Sequence, residues 1–542
     1  MTGSASRLRT LAGRSGLAGA TAQVTAGNVV SRATGLVRVL AIGAALGATF
    51  LGNVYQTANL VSNLLFELLA AGMLSSVLVP HFVALLDADR REDAQRLAGA
   101  LLGVVLAVMA AVTVVGLAAR PWIMRALTVT VPDADVRHAE IRLGSFLLLF
   151  FVPQVLLYAV GAVATAVLHS ARRFAAAAVA PVANNVVVIA TMGVFWALTH
   201  GGGRGAGLEL DLAPKLVLAL GTTAGVVAMT VVPLVAAARA GMRLRPRWDP
   251  HHPGLRAIGR AGLWGAAALA ASQVLLATTL VLANRVEGGV VAYQIAFTMF
   301  LFPHALLAHP VLTTLYPRLA ADAVERRWAA FAESLGRGAR TIVFSTALAT
   351  ALLAVLGAPV LRLIRLGALD PDGARLVAGV LAAYAFGITG YAGIHLLTRA
   401  SYAAGDVRAP AIVGLGVAVG GSALMVAGFA SATGDGRVVV LGLAHSGAMV
   451  VGAGVLLAVV RRRVGEPVPV VAAAFRAVVA AAAAAGVAAL AARALGGDTR
   501  LGAMVTLVVA GVAGGAAYLG VQRLLGAPEL DRARLVPALD GP

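Results

Sequence analysis

Cysteine is absent from the 542 residues. That excludes disulfides, zinc held by thiolates and a cysteine nucleophile, and for a membrane protein it leaves the compartment open. Charge is scarce as well: charged residues make up 12% of the chain and aromatic residues 5%. Lysine occurs once, at Lys215, so the net charge of +19 is carried by arginine. These arginines are scattered between apolar runs rather than gathered on one face, which argues against a nucleic-acid partner. Walker A, metal-ligand spacing and G-x-S-x-G are all missing, so no enzyme activity, cofactor or metal is expected. The first 20 residues are basic and lack an uninterrupted apolar run, so a cleaved signal peptide is not expected either.

What is present is apolar: 60% of the residues are hydrophobic and the mean hydropathy is +0.88. No water-soluble core needs that much, and the chain reads as an all-α polytopic membrane protein. Fourteen apolar segments recur between residues 26 and 522, each near the 20 or so residues that a span requires. With the amino terminus inside, the cytoplasmic segments collect 27 Lys and Arg against 13 outside. The positive-inside rule then places both termini in the cytoplasm. The densest inner loop, Arg239 to Arg260, joins spans six and seven and suits a linker between halves.

A weak internal repeat agrees with a boundary at that loop. Ser76 to Pro80 at the end of span two matches Thr313 to Pro317 at the end of span eight, an offset of 237 residues. Leu168 to Pro181 matches Leu396 to Pro410. Six spans separate each pair, so the halves share one orientation, as in transporters built from parallel repeats. The expected organisation is a tail at 1–25, an N-lobe at 26–238, a linker at 239–258 and a C-lobe at 259–460. Two six-helix lobes then face a central cavity. The last two spans follow at 470–522, and a cytoplasmic tail at 523–542.

The stretch from Asn28 to Pro80 is the most informative, because charge interrupts it. Read as two antiparallel spans meeting at Gly52 and Asn53, it puts Arg38 and Glu67 fourteen residues from the turn on either side. Both then sit at about 21 Å depth, and an ion pair across the hairpin is available. Ser31, Gly35 and Arg38 share one face of the first span, with Arg32 about 120° round the helix. Guanidinium groups bind phosphate oxygens in pairs and stay charged when partly dehydrated, which suits an anionic headgroup. The alternative is that both arginines snorkel to the interface. Asn59, Asn63 and Glu67 form a polar stripe on the second span, with Glu67 as the one acidic residue deep in any span.

Softer polar patterns occur elsewhere. Gln154 with Tyr158, Asn184 with Asn185, and Tyr384, Tyr391 and His395 either line a lumen or bond between helices. His304 and His309 flank prolines in span eight, where a structural or kink role is expected over the alternative of a proton relay.

SRATGLVR (Ser31 to Arg38), SNLLFELLAAGMLSSVLVPHF (Ser62 to Phe82), the RRF…APVANN segment (Arg172 to Asn185) and TRASYAAGDVRAP together resemble the MurJ/MviN family of lipid II flippases. The resemblance implies the fold of the multidrug/oligosaccharidyl-lipid/polysaccharide exporters, with a cationic central cavity and two last helices forming a groove for a polyprenyl tail. It implies that Arg32, Arg38 and Asn63 belong to the substrate cavity, where Ser31, Asn59 and Glu67 join them as candidates. It further implies lipid II and membrane lipids as partners, peptidoglycan-synthesis and division machinery as candidate partners, and the bacterial plasma membrane as location. Three positions depart from the commoner family pattern: Phe66 and Thr298 where basic residues are usual, and Asn53 where an acidic one is. The N-x-x-x-E-L-L variant, with Glu67, resembles actinobacterial members.

The function expected is outward flipping of an undecaprenyl-pyrophosphate-linked peptidoglycan precursor by alternating access. Three rivals differ in what they need. A flippase for another polyprenyl-linked sugar would use the same arginines. A cationic-drug antiporter calls for acidic residues in its cavity, and a membrane scaffold needs no buried charge.

Overall fold

The computed structural model describes residues 27, 29–67, 82, 90–171, 173–203, 207–250, 269–364, 367–496 and 499–530, and every regular element among them is helical. Helix α1 is Val29–Leu46 and α2 is Phe50–Phe66. They are followed by α3 (Arg91–Leu127), α4 (Ala134–Phe151), α5 (Gln154–Ser170), α6 (Ala175–Leu198) and α7 (Leu212–Arg239). Beyond the linker come α8 (Leu269–Ala283), α9 (Gly289–Pro303), α10 (His309–Val324), α11 (Trp328–Ile364), α12 (Pro371–Ala385) and α13 (Ile388–Ala403). The last four are α14 (Arg408–Ser431), α15 (Gly436–Val464), α16 (Val471–Ala494) and α17 (Arg500–Leu524), with a 3₁₀ turn at Pro528–Leu530.

Eleven helices among the described residues are long and apolar enough to cross a membrane, counting α4–α5 and α9–α10 as one each. The α12–α13 pair, bent by 44°, makes a twelfth. At the other two predicted spans the described residues hold α2 and α8, both too short to count as spans, so the expected fourteen are not reached among them. The repeat segment Ser76 to Pro80 lies outside the described residues. Two breaks have local causes. Between α9 and α10 a π-type turn at His304–Ala308 follows Pro303, which has no N–H to donate, and His309 is followed by Pro310. Between α12 and α13 the Ser446 hydroxyl donates to the Ala383 carbonyl at 2.7 Å and lies 3.2 Å from that of Tyr384, which also accepts from the Gly387 amide at 2.9 Å, so side chain and backbone together hold the bend.

The chain forms two compact units. The first comprises residues up to Ala45 with Val54–Ala126 and Asp133–Leu269. Its interior joins Leu97, Leu101 and Val105 of α3 to Val155, Ala159 and Val163 of α5, two i, i+4, i+8 stripes. Asp133 caps α4 by accepting from the amides of Asp135 and Val136. The start of the linker belongs to the same core through Met242 and Leu244, and the Arg247 amide donates to the Gly99 carbonyl at 2.9 Å. Gly103 permits this approach, because a Cβ there would stand 2.0 Å from the Arg247 carbonyl oxygen.

The second unit comprises Leu46–Asn53, Leu127–Pro132 and residues from Ala270 onward. Ala477, Ala480 and Ala484 of α16 pack on Ala347 and Ala351 of α11, and a Cβ on Gly514 of α17 would lie 3.1 Å from the Ala484 carbonyl oxygen. Small side chains allow this close approach where lipid offers no hydrophobic drive between helices. The Tyr518 hydroxyl completes the contact by donating to the Phe344 carbonyl at 2.6 Å.

The turn between α1 and α2 also lies in this unit, and it corrects the expected hairpin. The first helix ends at Leu46, and Gly47 turns the chain with φ at +73°. The helix opening at Phe50 is then held by Thr49, whose Oγ1 accepts from the Gly52 amide at 3.2 Å. The turn therefore falls at 47–49 and not at Gly52 and Asn53, which are buried inside α2. Arg38 stands ten residues before Ala48 and Glu67 nineteen after it, so by helix rise their depths differ by about 14 Å. Consistently, no ion pair joins Arg38 and Glu67 among the described residues. We expect the double-mutant cycle of Arg38→Gln and Glu67→Gln, read as folded yield and thermal midpoint, to be additive within about 0.5 kcal/mol. A coupling of about 1 kcal/mol or more would restore the pair.

Candidate functional site

The corrected register sets Arg38 level with the middle of α2. A cavity of about 200 Å³ in the first unit is lined there by Arg38 and Ile42 of α1 and by Tyr55, Asn59 and Asn63 of α2. Tyr158 of α5, Asn184 and Val188 of α6, and Thr222 and Val226 of α7 close it. The Tyr55–Asn59–Asn63 spacing of four puts one polar stripe of α2 on this cavity. Thr222 donates to the Leu218 carbonyl, so at 2.7 Å its oxygen accepts from the Tyr55 hydroxyl and fixes that ring. Arg38 is half-buried, and its Nε has no hydrogen-bond partner among the described residues; the Asn184 Oδ1 is likewise unpartnered. Among the described residues the lining carries a guanidinium and no carboxylate. The guanidinium can pair with an anion's oxygens, and the Asn184 Oδ1 is free to accept from a ligand hydroxyl or amide.

The six sequence candidates separate. Arg38, Asn59 and Asn63 meet at the cavity. Arg32, one face away, is exposed. Ser31 contributes through its backbone: its carbonyl accepts from Asn185 Nδ2 at 3.2 Å, which also donates to Thr34 Oγ1 at 3.0 Å, tying α1 to α6. Glu67 is half-buried beyond the end of α2 and does not line the cavity.

Among the softer patterns, Tyr158 and Asn184 reach the cavity, while Gln154 is buried and donates to Thr223 at 2.8 Å. Phe66 packs on Tyr158 with ring centroids 5.6 Å apart, an apolar wall at a position that the family resemblance makes basic. Thr298 donates back to the Gln294 carbonyl of its own helix at 2.7 Å. In the second unit the Tyr391 and His395 rings lie 4.9 and 5.3 Å from His304, and Tyr384 lies 5.0 Å from His445. That stripe is part of an aromatic cluster around the broken α9–α10 span.

Sequence reasoning missed three residues. Tyr55 and Thr222 are ordinary residues of apolar helices, and only α2–α7 packing brings them together at the cavity. Glu140 is the third: it is fully buried in α4, with neither carboxylate oxygen hydrogen-bonded among the described residues. Glu67 is therefore not the one buried acid of the spans. A signal for Glu140 did exist, since Leu143, Gly144 and Leu147 follow it at i+3, i+4 and i+7 and are buried on the same face.

Helices long enough to span a membrane, together with an interior pocket that presents a guanidinium, define a polytopic membrane protein with an internal cationic site. Its fold is that of solved transporters. A structure described as lipid II flippase MurJ in an inward closed conformation matches with a TM-score of 0.71 at 16% identity, covering 92% of this chain and 98% of that one. An inward-facing transporter of the multidrug resistance MATE family matches at 0.65 and 15% identity, covering 80% and 94%. The family model described as lipid II flippase MurJ matches residues 42–509. A Rhizobium meliloti protein named "Probable lipid II flippase MurJ" is 27% identical over 394 residues, 72% of this chain and 71% of its own length. The chain belongs to the MurJ family of lipid II flippases.

Proposed function

We propose that this protein moves an undecaprenyl-pyrophosphate-linked peptidoglycan precursor from the inner to the outer leaflet by alternating access, with Arg38 holding the pyrophosphate. The observation that carries the reading is the Arg38 guanidinium beside Asn59 and Asn63, in a pocket with no carboxylate among the described residues. A cationic drug would meet repulsion there, which favours an anionic headgroup over the substrates of a drug antiporter. The glycan is a separate matter, since the pocket reads phosphate charge. Exposure of lipid II at the outer leaflet, measured in cells depleted of this protein, tests the function. Loss of exposure with intact precursor synthesis supports it, and unchanged exposure sinks it.

The orientation belongs to the same proposal: both termini cytoplasmic, on the 27 to 13 asymmetry of Lys and Arg. Reporter fusions after Asp211 and after Pro371 are expected to read as external, and a fusion after Asp249 as internal. An external signal at Asp249 would reverse the topology.

A further inference from the structure

The end of α15, the start of α16, α11 and the C-terminal 3₁₀ turn line a second cavity, of about 730 Å³. Arg340, Arg461, Arg462 and Arg476 face it, with Glu466 as the acidic member of the lining. Part of this cationic cluster is structural. Arg340 donates to the Pro469 carbonyl at 3.1 Å, and Arg461 donates to that of Val468, so two guanidiniums hold the loop between the helices. Glu529, 7% exposed, pairs with two of them: Arg340 Nε is 3.6 Å from its Oε1 and Arg476 Nη2 is 3.4 Å from its Oε2.

These contacts leave a remainder. The buried Nε atoms of Arg461 and Arg476 have no hydrogen-bond partner among the described residues. Arg462 makes no ion pair there. Among the described residues four guanidiniums meet two carboxylates, Glu466 in the lining and Glu529 behind it, an excess of two positive charges. A latch between helices explains the Glu529 pairings, but it explains neither this excess nor the open volume. Guanidinium groups with free donors match phosphate oxygens. The cavity sits where two candidate spans, Gly436–Val464 and Val471–Ala494, meet their connecting loop, the kind of place where basic pockets take acidic headgroups. Pro467, Val468 and Val471 add apolar wall beside the charges.

We propose that this cavity in the second unit is a binding site for a phosphate-bearing anion, supplied either by a phospholipid headgroup or as free phosphate. It is separate from the Arg38 pocket, and occupancy ties α16 to α11 and α15.

The test is thermal unfolding of the delipidated full-length protein titrated with dioctanoyl phosphatidylglycerol, dioctanoyl phosphatidylcholine or inorganic phosphate. Phosphatidylglycerol is expected to raise the midpoint, with phosphatidylcholine inert. The concentration for half the shift should rise at least about five-fold in Arg461→Gln and in Arg462→Gln, and stay unchanged in Arg38→Ala. Arg462→Gln keeps the Arg461 hydrogen bond to the loop, so it reads binding even if Arg461→Gln does not fold. Equal protection by inorganic phosphate, lost in the same variants, assigns the site to the free anion. The proposal is overturned if neither anion shifts the midpoint, if phosphatidylcholine protects as well, or if the Arg462→Gln protein is protected like the parent.

Discussion

Replacing Arg38 by alanine is expected to abolish precursor exposure at the outer leaflet, whereas Arg38→Lys retains part of it. The lysine keeps the charge but presents one ammonium in place of a planar fork, so it loses bidentate phosphate binding and not the electrostatic attraction. Arg32→Ala should cost less than Arg38→Ala, because Arg32 is exposed and stands outside the pocket lining. The measurement is lipid II accessibility in cells carrying each variant as the only copy, with membrane levels of the protein matched. Parental rates in both alanine variants would remove the cationic-pocket mechanism.

On the proposed function, the same charge would give the cycle a direction. Arg38 makes the empty pocket about +1, and a diphosphate bringing about −2 makes the loaded pocket about −1. With the cytoplasm negative, the potential favours outward movement of the loaded form and return of the empty one. Each step is worth up to about 2.3 kcal/mol per charge per 100 mV if the whole field is crossed. A protonophore should therefore slow exposure in the parent.

How much of this was legible in the sequence depends on whether the signal was local. Hydropathy found the helices, because burial in lipid demands long apolar runs whatever their partners. The i, i+4, i+8 spacing of Asn59, Asn63 and Glu67 named one face of α2, and two of the three residues do line the pocket. The third failed on a turn. Gly47 and Gly52 are both glycines in an apolar run, and choosing between them as the hairpin required knowing that Gly47 adopts a positive φ. Moving the turn by five residues carried Glu67 away from Arg38. Tyr55, Thr222 and Glu529 were illegible for a different reason, since their partners lie far away in sequence and only packing brings them near.

Asn53, which stands where the family resemblance makes an acid usual, has a specific task, and changing it should unfold the second unit more readily. Its side chain is fully buried, and both halves of its amide are used. Nδ2 donates to the Val286 carbonyl at 2.9 Å, and Oδ1 accepts from the Val290 amide at 3.0 Å. Val290 lies in the first turn of α9, whose amides lack partners within the helix, and Gly288 provides no side-chain cap. Gly288, with φ at +72°, leaves no room for a side chain there, because a Cβ would stand 2.6 Å from Ala48. The amide of Asn53 thus substitutes for the missing cap while clamping the α8–α9 turn. Asn53→Asp preserves shape but loses the donor and places a carboxylate against the Val286 carbonyl. Asn53→Ala leaves the Val290 amide unpaired, while the Val286 carbonyl keeps the Gly289 amide at 2.9 Å. An unsatisfied buried group costs about 1–3 kcal/mol, so the alanine variant should lose about 1–3 kcal/mol. The aspartate should lose at least as much, through desolvation of its charge. Thermal unfolding of the purified protein checks this, with both midpoints expected well below that of the parent and Asn53→Gln in between. A midpoint for Asn53→Asp equal to the parental one would mean that the clamp contributes nothing to stability.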